Sequence, residues 1–414
     1  MHRPHTPFDE ATPAGGPVVI TVNGGSSSVK FSMATVAQPA SPVLSGVLDR
    51  IGGAGGSLRV REGRGEWGQP EPVAVGAFKD ATRLIVDVLK SRLGAREVLG
   101  IGHRIVHGGV KSHDHQLVTP ELMDALDGAR VLDPAHLPRE IELIEGFGRA
   151  FPGASQVACF DTAFHRELPR AAQLLAIPRR FFRAGVRRVG FHGLSYTSLM
   201  GQLATLAGPE AARGRVILAH LGSGASMSAV RGGRPIDTTM AFTPTSGLVM
   251  ATRPGDLDPG VVVHVMRAEG LSVQQLDDLL SRECGLLGVS ETSGDVRDLL
   301  ALRDTDPRAA EAIELFCAQA RKHLCALAGA LGGVDTIVFA GGIGEHSAEV
   351  RAGICQGLEF LGVRLDEARN SAGNAVISGD DSKVTVRVMQ TDEESVMVGI
   401  VARLMGAVPT RAGS

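Results

Sequence analysis

The sequence predicts an α/β fold built from two similar halves. Short β-branched runs alternate with segments whose apolar residues recur at helical spacing. A strand, a glycine/serine turn and a second strand occur together twice, near the start of each half. The first copy runs from Val18 to Val22, turns through Asn23-Gly24-Gly25-Ser26-Ser27-Ser28 and continues from Ser28 to Met33 with Lys30 inside it. The second runs from Val216 to Leu221, turns at Gly222-Ser223-Gly224 and continues from Ser226 to Val230.

The first turn has the chemistry of a phosphate cradle. Glycines let backbone N–H groups approach an anion, and the serines add further donors. Lys30 brings a positive charge, and Asn23 an amide oxygen suited to Mg²⁺ or its waters. The spacing is not that of a Walker loop. A Ser/Gly-rich connection between strands would look the same, so the remaining segments must decide.

Ala77 to Leu93 has helical spacing, and Gly102-His103-Arg104-Ile105-Val106-His107-Gly108-Gly109 carries an Arg and two His into a glycine turn. Val157 to Phe160 is an apolar strand that delivers Asp161 at its end. Gly190-Phe191-His192-Gly193 follows, then a helix over Leu199 to Leu206. Asp237 to Pro244 and Ala251 to Gly260 hold further polar groups, and the second stretch is too broken by Gly and Pro to be a helix. Val273 to Leu280 and Ala309 to Leu331 are helical by spacing. Thr336 to Ala340 is a strand entering the glycine-rich turn Gly341-Gly342-Ile343-Gly344-Glu345-His346, and a helix starts at Ser347 with Glu349 in its first turn.

Composition excludes several classes. In 414 residues, 42 Lys and Arg stand against 45 Asp and Glu, and a net charge of −3 gives no pull toward nucleic acid or an anionic membrane. One Trp and one Tyr supply no base-stacking platform. Cys159, Cys284, Cys317, Cys325 and Cys355 are scattered, as in a cytoplasmic protein with reduced thiols. No apolar run reaches membrane-spanning length. Residues 1–16 hold three prolines and no apolar stretch, which predicts a disordered tail. Motifs of zinc peptidases and of serine or cysteine hydrolases are absent. Two Arg and a His set beside one Asp suit an anionic reaction centre, because guanidinium binds carboxylate or phosphate bidentately and His can donate to a developing oxyanion.

Together these segments resemble the acetate kinase, or acetokinase, family from Val18 to about Val401. The resemblance implies two similar α/β domains of the sugar kinase, actin and heat-shock chaperone ATPase type, with the active site in the cleft between them. Residues 17–160 with about 398–414 would form the N-terminal domain, and 161–397 the C-terminal domain, through which two copies would form a homodimer. Asp161 then matches the catalytic carboxylate, His192 the histidine of the transition state, and Arg104 and Arg253 the arginines on the acyl substrate and the phosphoryl group. Val106, Ala135, Phe191 and Pro244 match a small apolar pocket for the acyl chain. Lys30, Ser26 and Ser28 match the first phosphate turn, and His220, Leu221, Gly222, Ser223 and Gly224 the second. Asp295, Val296 and Arg297 match an adenosine-contacting segment, and Gly342, Ile343, Gly344, Glu345 and His346 the adenine and ribose loop. Asn23 and Glu393 match the ligands of Mg²⁺, for which Mn²⁺ is a possible substitute. Ser223, Gly294, His346 and Asp392 stand where Asn is usual, Tyr196 stands for a second His, and Leu137 and Glu140 replace asparagines.

The implied reaction is reversible transfer of a phosphoryl group from ATP to acetate, giving acetyl phosphate and ADP. Propionate or another short acid as acceptor, or pyrophosphate as donor, is the alternative within enzymes. A nucleotide-dependent binding module is the alternative outside them, and it has no need of Arg104, Asp161, His192 and Arg253.

Overall fold

A computed structural model describes residues 16–407 except Ser26, Ala54, 110–113, 131–132 and 134–135. The expected tail over residues 1–16 therefore lies outside the described residues save for Gly16, and the expectations for Ser26 and Ala135 lie outside them too. The chain divides into two compact units. The first holds residues 1–105, 115–159 and 394–414, and the second 106–114 and 160–393.

The first unit is built on eight strands: β1 (Val18–Gly24), β2 (Val29–Thr35), β3 (Leu44–Asp49), β4 (Ser57–Glu62), β5 (Glu71–Pro72), β6 (Val98–Ile105), β7 (Gln116–Leu117) and β8 (Gln156–Phe160). Their order is β5-β4-β3-β2-β1-β6-β8-β7, with β1 antiparallel to β2 and parallel to β6. The helices Phe78–Leu93 and Leu137–Ala150 bury Ile85, Leu89, Leu143 and Phe147 in the same core as Val18, Ile20 and Val22. The C-terminal helix Glu393–Leu404 lies against β6 because Gly100 and Gly102 carry no side chain. A Cβ there would stand 2.9 and 3.1 Å from the Val401 methyls.

The second unit has β9 (Arg215–Leu221), β10 (Ala225–Arg231), β11 (Arg234–Thr238), β12 (Thr336–Ala340) and β13 (Thr385–Val388), in the order β11-β10-β9-β12-β13. Again an antiparallel hairpin is followed by a strand parallel to its first member. The run β3-β2-β1-β6-β8 in one unit and β11-β10-β9-β12-β13 in the other is one topology used twice. The helix Pro307–Leu331 covers one face of this sheet with Phe316, Ala320, Leu324 and Leu327, and the helix Gly193–Ala207 packs Leu199 and Leu203 against Leu218 and Val338.

Several boundaries differ from the sequence expectation. The helix expected over Leu199 to Leu206 begins six residues earlier, at Gly193. Its first six residues include Ser195, Tyr196 and Ser198, which dilute the apolar spacing yet are all buried. The glycine-rich stretch expected as a turn is itself a helix, Gly341–His346, closed by hydrogen bonds such as Ser347 N to Ile343 O at 3.0 Å. Ser347 then caps the helix Ala348–Cys355, accepting from the Val350 N–H. Within the stretch expected to be non-helical, Pro259 and Gly260 open the helix Pro259–Ala268. Pro at the first position costs no hydrogen bond, and the Asp258 carboxylate accepts from Gly260 N at 2.8 Å.

Candidate active site

In the first unit the sheet register assembles one cluster. Asn23, at the end of β1, pairs across the hairpin with Lys30, and Val22 stands beside His103 of the parallel strand β6. That register sets Arg104 next to Asn23, whose Oδ1 accepts from Arg104 Nη1 at 3.3 Å. The turn is closed by Gly25 N donating to Ser28 O at 2.7 Å, and the Lys30 side chain is exposed.

In the second unit two glycines let two polar segments lie against each other. A Cβ on Gly190 would strike the His165 ring at 2.4 Å, and one on Gly193 would sit 2.2 Å from the Asp161 carbonyl. Gly193 N donates to that same carbonyl at 2.8 Å, which ties Asp161 to the start of the helix Gly193–Ala207. Asp161 is wholly buried there. His192 joins the segments in the left-handed region, with φ 58° and ψ 26°. A non-glycine residue so placed stores backbone strain of about 1–3 kcal/mol, which the surrounding hydrogen bonds must offset.

Two of the side chains expected to be catalytic, Arg253 and His192, meet at the second glycine turn. A Cβ on Gly224 would lie 2.9 Å from Arg253 Nη2 and 3.6 Å from His192 Nε2, so two side-chain nitrogens flank the turn and the closer one leaves room only for a glycine. Arg253 is held from the other side, its Nη1 donating to Pro244 O at 2.6 Å. Its neighbour Ala251 donates its N–H to Ser223 O at 3.0 Å, which docks the Arg253 loop on the turn. His192 is also fixed by Ser226, with Nδ1 and Oγ 2.8 Å apart, and by the His220 ring at a centroid distance of 4.4 Å. Ser195 donates a short hydrogen bond to Oε1 of Glu393, which orients that carboxylate.

The expected nucleotide loop is adjacent to the same turn. Ala340 is in register with His220, and a Cβ on Gly341 would be 2.6 Å from Leu221 O. A Cβ on Gly342 would meet nothing within 4 Å, which leaves its face open for a flat ring. Glu345 turns back on its own helix, accepting from Gly341 N at 3.0 Å, while Gly344 lies buried. Asp295 caps the helix Val296–Leu302 and binds Arg297 Nη2 at 2.6 Å. The Arg297 guanidinium and the hydrogen bonds it donates hold the Asp295 carboxyl below its usual range. Gly294 reaches Ala251, where a Cβ would be 2.8 Å from the carbonyl, so this segment packs on the loop that carries Arg253.

Of the expected acyl pocket, Val106 and Phe191 are buried in one apolar cluster with Met240 and Leu248, and Pro244 belongs to the loop that holds Arg253. Sequence reasoning missed Ser226 and Ser195 as partners of the site. Ser226 reads as an ordinary strand residue and Ser195 as a helix residue, and only the fold brings them to His192 and Glu393.

The chain is similar to known proteins along most of its length. The sequence pattern of the acetokinase family matches residues 18–399. The chain is 43% identical over 396 residues to an acetate kinase from Methylocella silvestris, covering 93% of this chain and 96% of that one. It is 39% identical over 391 residues to a propionate kinase from Citrobacter rodentium, with coverages of 93% and 96%. A crystal structure of acetate kinase from Porphyromonas gingivalis superposes with a TM-score of 0.83 at 34% identity, covering 94% of this chain and all of that one.

Proposed function

Because the chain belongs to the acetokinase family and is a kinase whose phosphoryl acceptor is a carboxylate, we propose that it transfers a phosphoryl group reversibly from ATP to acetate, giving acetyl phosphate and ADP. The observation that carries the residue assignment is the convergence of Arg253 Nη2 and His192 Nε2 on the Gly224 turn. An acetate oxygen attacks the γ-phosphorus, the bond from the γ-phosphorus to its bridging oxygen breaks, and ADP leaves with the electron pair. A carboxylate needs no general base, so the demand on the protein is positioning and charge neutralisation. Arg104 clamps the carboxylate, whereas Arg253 and His192 donate to the equatorial oxygens of the group in transfer. Asp161 is assigned to positioning the substrate, and each glycine turn would offer backbone N–H groups to phosphate oxygens.

Asn23 and Glu393 supply one amide oxygen and one carboxylate. Hard oxygen donors of this kind would suit Mg²⁺. When bound, the ion neutralises phosphate charge. The open face at Gly342 supports adenosine binding, with the Asp295–Arg297 segment beside the loop that carries Arg253. The two compact units are proposed as the two domains of the family. A second copy of the chain is proposed to cover the helices Pro259–Ala268 and Val273–Arg282, which bury none of their residues although Val261, Val263 and Val273 are 47%, 46% and 75% exposed. Between these helices lies an apolar groove of about 480 Å³ lined by Leu257, Val261, Val265, Leu276 and Leu279. Among the described residues no helix is long and apolar enough to cross a membrane, and we place the enzyme in the cytoplasm, where its five free thiols stay reduced.

Propionate is the second acceptor to test, since a propionate kinase is among the relatives. One methylene in an apolar pocket is worth about 1–3 kcal/mol, so a modest enlargement brings the two acids close. Replacing Ala135 by Leu should lower the propionate-to-acetate ratio of kcat/KM. An unchanged ratio removes Ala135 from the pocket.

A further inference from the structure

The Ser226 hydroxyl lies between two rings. Its Oγ is 2.8 Å from His192 Nδ1 and 2.5 Å from the Tyr196 hydroxyl, and both Ser226 and Tyr196 are wholly buried. Tyr196 follows His192 by one helical turn, its N–H donating to the His192 carbonyl at 3.0 Å, so the backbone that strains His192 also aims the phenol. The ring is wedged edge-on against His165 and tilted against Phe164, which leaves the hydroxyl one direction to point.

We propose that Tyr196, acting through Ser226, is a positioning residue that holds His192 in the tautomer with its proton on Nε2. This rests on the reading of His192 as a donor to the phosphoryl group. The protons along the chain determine the order. Burial pushes the Tyr196 phenol above its ordinary pKa, so it keeps its proton, and it also accepts from the His220 backbone. Its own hydrogen is then directed to Ser226 Oγ. The Ser226 hydrogen turns to His192 Nδ1, which becomes the acceptor. The imidazole proton is left on Nε2, the nitrogen that faces Gly224 beside Arg253 Nη2. Without the relay, a ring free to carry its proton on Nδ1 would present a lone pair to the phosphoryl oxygens and repel them. No proton moves during transfer. The device fixes which nitrogen donates.

Tyr196→Phe tests this, because it keeps the ring and deletes only the hydroxyl. Nitrogen-15 NMR of His192 should show the Nε2–H tautomer in the unsubstituted enzyme and a mixture in the variant. The kcat should fall about tenfold, the rate equivalent of one hydrogen bond, with the KM for ATP unchanged. Ser226→Ala cuts the same relay at its centre and serves if Tyr196→Phe fails to fold. The double variant should be no slower than Ser226→Ala alone. An unchanged tautomer in either folded variant overturns the relay. His192→Ala separates the two claims. Full activity in that variant overturns the catalytic role of His192, and the NMR signature still decides whether the relay exists.

Discussion

At Arg253 one guanidinium nitrogen is anchored on the Pro244 carbonyl and the other faces the Gly224 turn, so the side chain reaches its target already ordered. Arg253→Ala should cost about 10³–10⁵ in kcat, the range for arginines that neutralise a phosphoryl group in transfer. Arg104→Ala should lower kcat and also raise the KM for acetate, because the carboxylate clamp proposed for it would hold the ground state as well. Steady-state kinetics within about threefold of the unsubstituted enzyme would remove either residue from the site. Two buried histidines set a pH limit on stability. Burial lowers the His103 pKa to about 4, against the opposing hydrogen bond that the ring donates to Gln156 Oε1. Burial, with Arg188 nearby, lowers that of His165 to about 3. An unfolded chain binds these protons near pH 6.5, so between 6.5 and about 4 it takes up protons that the native state refuses. Stability held above pH 6.5 is therefore lost as pH falls through that window, by about 3 kcal/mol for His103. His103→Asn should flatten the slope of Tm against pH there, and an unaltered slope would contradict the assignment.

The elements carry the site through a few side chains that bind backbone. Arg351, 1% exposed, donates to the carbonyls of Gly344 and Glu345 at 3.0 and 2.9 Å and to Asn370 Oδ1 and O at 2.8 and 2.7 Å. It thereby holds the C-terminal end of the helix Gly341–His346, where a cation is also favoured by the helix dipole. Arg351→Met should raise the KM for ATP several-fold and leave that for acetate unchanged. Equal KM values for ATP would detach this helix from nucleotide binding. The two hairpins, Asp161 at a strand end and the cap at Ser347 were legible, because strand periodicity and capping residues are local signals. The helix Gly341–His346 was not, since three glycines in six residues oppose helix formation and only packing on β9 and β12 compensates. Short strands such as β5 and β7 also escaped, being two residues each and set by their neighbours.

For the whole molecule, the repeated strand order places a glycine turn at the same topological point of each unit, after β1 and after β9. That repetition was visible as two similar hairpins, because each strand–turn–strand unit is a local signal. The exposed valines of the helices Pro259–Ala268 and Val273–Arg282 lead to an expectation for assembly. Val261→Asp should shift the sedimentation of the enzyme from dimer to monomer, and an unchanged sedimentation coefficient would move the interface elsewhere. The central chemical event is the phosphorylation of a carboxylate at the expense of ATP. Trapping the acyl phosphate with hydroxylamine, over a panel of short acids and with ATP or pyrophosphate as donor, tests that most directly. Acyl hydroxamate formed with ATP and acetate, and abolished in Arg253→Ala, is the result expected. Product with pyrophosphate and none with ATP, or none with any acid, would contradict it.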